Sequence, residues 1–242
     1  MNNLIFKIRA FKAVDNPEAC EKYIEGHARI LRLFGLSMIT SANPGWLDDP
    51  DTYVVCVESG DGRKIYGGGR IQVASGNLLL PIETAICEKD PSIHQTIDMY
   101  AQKGTGEICG LWNSREMAAN GVGSIHLGRA MVAVAGQLNL NSLFALCAPA
   151  TVRNCIRVGY ETARFIGDNG RLCYPKDHLL ATAMVIKDLQ NLPAAAPGER
   201  LLIQDLRDNP FQRKLEPGLK GRMLDVQYEL DIKEQVPVYC VA

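Results

Sequence analysis

Two neighbouring stretches decide how this chain folds: Gly106-Glu107-Ile108-Cys109-Gly110-Leu111-Trp112-Asn113-Ser114, and just beyond it Asn120-Gly121-Val122-Gly123-Ser124. The first is short and apolar once past Glu107, and reads as a buried strand. The second sets a glycine turn at the head of residues 122–138, the longest helical stretch. There Val122, Ile125, Met131, Val132 and Leu138 recur at a spacing that turns them inward. Residues 142–147 follow as a second apolar strand, and 149–158 as a short helix. Strand, helix, strand in this order predicts a crossover with the two strands parallel and adjacent. A glycine turn at a helix start also suits an anion: its amides point outward, the helix dipole favours negative charge, and glycine permits close approach.

Working outward, residues 4–13 alternate, with Phe6, Ile8 and Ala10 on one side and Lys7 and Arg9 on the other, as in a strand with one wet face. Asp15 or Asn16 can cap a helix over 18–34, with Pro17 in its first turn and Gly35 as its stop. Residues 52–58 and 64–73 read as strands joined by Ser59-Gly60-Asp61-Gly62, hence a hairpin. Gly67-Gly68-Gly69 inside the second strand signals a bulge or the close approach of another backbone. Residues 90–103 read as helix, and 160–166 and 179–187 as strands. In the tail, 191–198 (N-L-P-A-A-A-P-G) resembles a linker, 199–208 a helix and 223–232 a strand. The expected organisation is one α/β (α+β mixed) domain over 1–190, then a linker and C-terminal extension over 191–242 that is not an independent domain.

Composition narrows the partners. With 47% hydrophobic and 22% charged residues, the chain has the makings of a core and a disordered chain is not expected. A formal net charge of −1 gives no electrostatic reason to expect nucleic acid or an acidic membrane. The eight cysteines form no C-x-x-C pair, and His27, His94, His126 and His178 are scattered, so no metal site is expected. No apolar run reaches the ~18 residues of a membrane span. The segment MNNLIFKIRAF is too short and too regularly charged for a signal peptide. Unpaired cysteines then point to a reducing, cytoplasmic setting.

Glu107 at the head of a strand, N-G-V-G-S after it, and R-N-C-I-R-V-G-Y-E (153–161) at the close of the next helix stand in a suggestive order. This resembles the core of GNAT N-acyltransferases, where a G-x-G turn precedes the cofactor-binding helix and a G-F or G-Y pair follows the last one. The resemblance spans roughly residues 7–187. Upstream, W-L-D-D-P-D-T-Y-V-V-C-V-E (46–58), G-G-G-R-I (67–71), L-L-L-P (78–81) and G-E-I-C (106–109) are similar in order to N-acyl homoserine lactone synthases and N-acyl amino acid synthases. The resemblance implies a GNAT-like central mixed sheet flanked by helices. It also implies transfer of an acyl group from a CoA or acyl-carrier-protein thioester to a small amine acceptor. Asp48 or Asp51, Arg70 and Glu107 fall on functional positions of that family. Cys109, Gly110 and Leu111 stand where the family carries an arginine, Ala118 where Arg or Gln precedes the first glycine, and Cys155 where a tyrosine precedes the terminal G-Y.

The chemistry assigns provisional roles. Asn120, Gly121, Val122, Gly123 and Ser124 are the donor-phosphate candidates. Glu107 is the candidate base: at the edge of an apolar strand, partial burial raises a carboxyl pKa into a useful range. Cys155, a thiol of pKa near ~8.5, is the candidate acid for the departing thiolate, against an ordinary core cysteine. Arg70 suits a substrate carboxylate or an acidic carrier protein, against a surface arginine. Trp112 and Trp46 suit an acyl-pocket wall, against core packing; Tyr160 is expected to pack. Two functions stay open: an N-acyltransferase, and a non-catalytic acyl-CoA or small-ligand binding protein on the same fold. A homo-oligomer is compatible with either.

Overall fold

Alternation along Ile5–Lys12 buries Phe6, Ile8 and Ala10 and forms strand β1. The computed structural model describes residues 5–36, 39–120, 122–218, 221 and 223–232. Helix α1 (Pro17–Leu33) starts where Asn16 Oδ1 accepts from Ala19 N at 3.1 Å, with Pro17 in its first turn. It ends at Gly35, whose φ of +67° suits a helix stop. Strands β2 (Thr52–Ser59) and β3 (Ile65–Val73) form the expected antiparallel hairpin. There follow α2 (Pro81–Ile86), α3 (Ile93–Ala101), β4 (Gly106–Asn113), α4 (Arg115–Asn120), α5 (Ser124–Ala135), β5 (Leu143–Cys147) and α6 (Pro149–Arg157). Strands β6 (Glu161–Thr162), β7 (Arg171–Cys173) and β8 (Leu180–Ile186), helix α7 (Pro197–Asp208), and strands β9 (Phe211–Pro217) and β10 (Met223–Glu229) complete the chain.

All the strands join one mixed sheet in the order β6-β8-β5-β4-β3-β2-β1-β10-β9, with β7 on the free part of β8. Strands β4 and β5 are parallel neighbours, as the crossover rule requires. Their pairing is confined to Glu107 opposite Phe144, near the start of both strands. β4 otherwise pairs with β3, and β5 with β8 along its length. The two strands therefore part company towards their C-terminal ends and open a split in the sheet. Helices α1, α2 and α3 cover one face, through Tyr23 against Val54, Cys56 and Trp112 and through Ile82 and Ile93 beside Phe144. Helices α5 and α7 cover the other face with Val55, Val57 and Ile71.

The glycines of β3 are there for close approach. A Cβ on Gly68 would stand 2.9 Å from Tyr23 and from the Val55 carbonyl, and one on Gly69 would stand 2.7 Å from Met131. Bulges lie on both sides of these glycines: against β2, Val57 pairs with Gly67 but Glu58 with Ile65, so β3 carries an extra residue beside Gly67, and a second bulge lies in β4. Gly68 pairs with Trp112 but Arg70 with Cys109, so β4 carries one extra residue there. Gly110 absorbs it at φ +60°, and its carbonyl accepts from Tyr23 Oη at 2.6 Å.

Several expectations need correction. The helix expected over 122–138 runs only over Ser124–Ala135, and α1 is the longer. The strand expected over 160–166 shrinks to Glu161–Thr162, because the chain turns through Gly167, Asn169 and Gly170, all at positive φ. The stretch read as a linker is packed: Leu192 and Ala195 are buried in the main core. β10 lies parallel to β1, so the tail continues the sheet. Among the described residues no helix is long and apolar enough to cross a membrane.

Candidate active site

β3 and β4 send Arg70, Gln72 and Glu107 to the face covered by α1 and α2. Gln72 lies opposite Glu107 in the ladder, and Arg70 two residues along. All three are buried. Arg70 donates from Nη1 to the Ser41 carbonyl at 2.5 Å and lies over the Trp46 ring at 4.9 Å, while its Nε has no partner among the described residues. Gln72 Nε2 donates to the Leu79 carbonyl at 2.9 Å. Arg70, Gln72, Trp46, Pro81, Thr84 and Tyr174 line a cleft of about 610 Å³. Its walls are mainly apolar, with one guanidinium at the base, a composition that suits a small molecule with an anionic end.

Glu107 lies behind this cleft, at the one point where β4 and β5 still pair. Its Oε2 accepts from Ile82 N at 2.7 Å. Burial pushes its pKa up to about 8, against the pull of that amide and of Arg70; the charge of Glu83 pushes the same way as burial. Glu83 is itself buried, accepts from Leu80 N at 2.8 Å and pairs with His94 Nδ1 at 2.8 Å.

The sequence-level candidates are distributed unevenly. Val122 is buried and its amide donates to the Met117 carbonyl at 3.2 Å. Gly123 caps α5. Ser124 is already engaged: its Oγ accepts from Asn154 Nδ2 at 2.6 Å, and its amide donates to the side-chain oxygen of Asn113 at 3.2 Å. The amides of Gly123 and Ile125 lie in the same turn. Gly121 lies outside the described residues, as does the side chain of Asn120. Cys155 Sγ is 3.4 Å from Cys147 Sγ, in a contact that favours ionisation of Cys155 over Cys147. Trp112 lies beneath α1, where a Cβ on Gly26 would meet its ring at 2.2 Å; Trp46, not Trp112, lines the cleft. Asp48 is exposed and Asp51 accepts from Asn77 at 3.2 Å. The buried aspartate of that loop is Asp49, which accepts from Thr52 Oγ1 at 2.7 Å. Among the described residues no cluster of three or more metal-ligating side chains occurs.

Tyr160 packs in the main core, as expected. Its hydroxyl is buried with no partner among the described residues. Burial raises its pKa far above the usual phenol value, as do Cys155, Cys147, Glu107 and Cys109 around it. The G-Y pair was the available signal; the isolation of its hydroxyl depends on the fold.

A mixed sheet split between two parallel strands, with a glycine-capped helix at the split, defines an α/β fold of the GNAT-like N-acyltransferase type. Within that type the resemblance is to acyl-homoserine lactone and N-acyl amino acid synthases. FeeM, an N-acyl amino acid synthase from uncultured soil microbes, superposes with a TM-score of 0.58 at 12% identity, covering 78% of this chain and 99% of that one. An acyl-CoA N-acyltransferase from Pseudomonas aeruginosa gives 0.50 at 12% identity, over 74% of this chain and 97% of that one. The acyl-homoserine lactone synthase LasI gives 0.50 at 15% identity, over 78% and 91%. No protein-family model matches the sequence, and no curated protein does. At these identities the likeness is one of fold.

Proposed function

We propose that the chain transfers an acyl group from a thioester donor, CoA or an acyl carrier protein, to a small amine acceptor. The observation that carries this reading is Glu107. It is a buried carboxyl with its pKa near 8, set between the Arg70 cleft and the β4–β5 split. The donor's pantetheine arm fits the split, where backbone groups of β4 and β5 are not paired with each other, and its phosphates fit the Gly123 and Ile125 amides. The acceptor fits the cleft, its anionic end on Arg70. As the amine nitrogen attacks the thioester carbonyl, Glu107 takes its proton, directly or through a water. The C–S bond then breaks, and the thiolate takes a proton from Tyr160, Cys155 or water.

Cytoplasmic residence suits the unpaired thiols, since seven of the cysteines are free. A second reading, thioester binding without transfer, draws on the position of Glu107 behind the Ile82 amide rather than in the cleft wall. The test is mass spectrometry of ligands that copurify with the protein. It is followed by a transfer assay pairing acetyl-CoA and a long-chain acyl-CoA with free amino acids. Acylated product supports transfer, thioester binding without turnover supports the second reading, and no thioester binding removes both.

A further inference from the structure

Helix α5 is gripped at both ends by the C-terminal tail, through polar groups buried beneath it. At the first turn, His126 N donates to the Gly123 carbonyl at 3.1 Å, and His126 Nε2 lies 3.9 Å from Glu216 Oε2 on β9. One turn on, Arg129 donates from Nε to Glu199 Oε2 of α7 at 2.9 Å and from Nη1 to Glu216 Oε2 at 3.0 Å. Tyr228 of β10 donates to Glu216 Oε1 at 3.0 Å, and Arg157 of α6 pairs with Glu199. His126, Arg129, Glu199, Glu216 and Tyr228 are each at most 5% exposed. At the far end, a Cβ on Gly136 would stand 2.7 Å from Arg207 Nε; Arg207 is itself tied to the carbonyls of Leu189 and Gln190. Gln137 donates to the Leu230 carbonyl at 2.8 Å and accepts from Ile232 N at 3.3 Å.

A buried ion network is a poor way to gain stability, because apolar side chains of similar volume seal such a contact as well or better. What it supplies is a fixed geometry, since an arginine fork donates to its carboxylates in few arrangements. Here that geometry fixes the rotation and axial position of α5 within two turns of Gly123.

We infer that the C-terminal tail belongs to the donor-binding apparatus, with Glu216, Arg129 and Glu199 as positioning residues that hold the first turn of α5 towards the thioester. This rests on the donor reading of the Gly123 turn. The network touches no donor; it acts through the placement of the amides.

Glu216→Gln in the full chain tests it, since the amide keeps an acceptor for Tyr228 and loses the charge that holds Arg129. Two readouts are compared with the parent: hydrogen exchange of α5 and α1 amides, and calorimetric titration with CoA. The expected result is faster exchange confined to the first two turns of α5, with affinity for CoA reduced roughly 3- to 30-fold. Equal CoA affinity in parent and variant overturns the inference and leaves the donor reading standing. Faster exchange spread equally over α1 and α5 also overturns it, as the mark of a merely structural role. Where the parent does not bind CoA, the same titration is run with pantetheine-bearing acyl carrier protein, and a parent that binds neither overturns the donor reading, and the inference with it. Should the single variant not fold, Glu199→Gln, Arg129→Met and Glu216→Gln together remove every charge of the triad, so no buried charge is left uncompensated. The same fall in CoA affinity is expected there, and parental affinity overturns the inference.

Discussion

At the scale of single residues, burial sets two opposed demands on Glu107. Its pKa stands at about 8 in the fold against 4.5 for a free glutamate, so the native state holds a proton that the unfolded chain has released. The unfolded state therefore binds fewer protons between these values, and stability falls as pH rises through that window. The loss is complete above pH 8 and is on the order of 4–5 kcal/mol. Glu107→Gln keeps an oxygen for the Ile82 amide and cannot ionise. It should raise the melting temperature at pH 8, leave it little changed at pH 4, and flatten the dependence between. Chemistry runs the other way. The base exists only as carboxylate, so the parent's single-turnover rate should rise with pH through about 8, and the Gln variant should be slower by ~10²–10⁴-fold with no such rise. A variant that transfers at the parental rate at pH 8 would remove Glu107 from the chemistry. Tyr160→Phe separates acid from packing. Losing an unpartnered buried hydroxyl costs the fold little, so a folded Phe variant with slower transfer marks Tyr160 as the proton source, whereas parental transfer returns that role to Cys155 or solvent. Glu107 was legible as a lone charge at the head of an apolar strand. Tyr160 was not, because nothing local distinguishes a satisfied phenol from an orphaned one.

At the scale of elements, β4 and α5 shape the site. Three consecutive glycines announced an irregularity near residues 67–69, and β3 does carry an extra residue beside them against β2. The second bulge, across the ladder in β4, was not legible, because it depends on the register of two strands, which no single strand reveals. Gly110 holds φ +60°, and a Cβ there would stand 2.3 Å from Tyr23 Oη. Gly110→Ala should therefore destabilise the fold by roughly 1–3 kcal/mol, read from denaturant midpoints; an unchanged midpoint would mean that the bulge relaxes at no cost. Gly123→Asp separates fold from function in the opposite sense. The nearest atom to its Cβ is 3.8 Å away, and aspartate is a favoured helix cap. Stability should hold or rise by a few tenths of a kcal/mol, while the added charge expels an anion from the same amides. Calorimetry with acetyl-CoA should then find no binding to a variant that melts like the parent. Retained affinity would place the phosphates elsewhere.

At the scale of the whole molecule, the centre of the sheet was readable and its edge was not. The β4–α5–β5 crossover follows from chain order, since a strand, a helix and a strand have few ways to pack. β10 pairs with β1, from the far end of the sequence, and no local pattern records a partner so distant. β9 hid better still. Its outward side carries Phe211 and Leu215, both exposed, while its buried residue is Glu216, the reverse of the usual alternation. Only the arginine waiting on α5 makes a buried glutamate sensible there. This bears on whether residues 1–190 fold without the tail. Cutting after residue 190 strips β1 of its parallel partner and uncovers the α5 face that α7 seals with Ile203 and Leu206. It also leaves Arg129, 5% exposed in the full chain, without Glu199 and Glu216. The same cut opens Arg129 to water, so the loss falls on the apolar seal of α7 and on the pairing of β10 with β1, set against the roughly 5–15 kcal/mol that holds a typical domain together. Residues 1–190 expressed alone should be insoluble, or should melt without a cooperative transition. A shortened chain that melts cooperatively near the parental temperature would show that the tail is an ornament on a self-sufficient core, and that the ion network beneath it answers to no structural need.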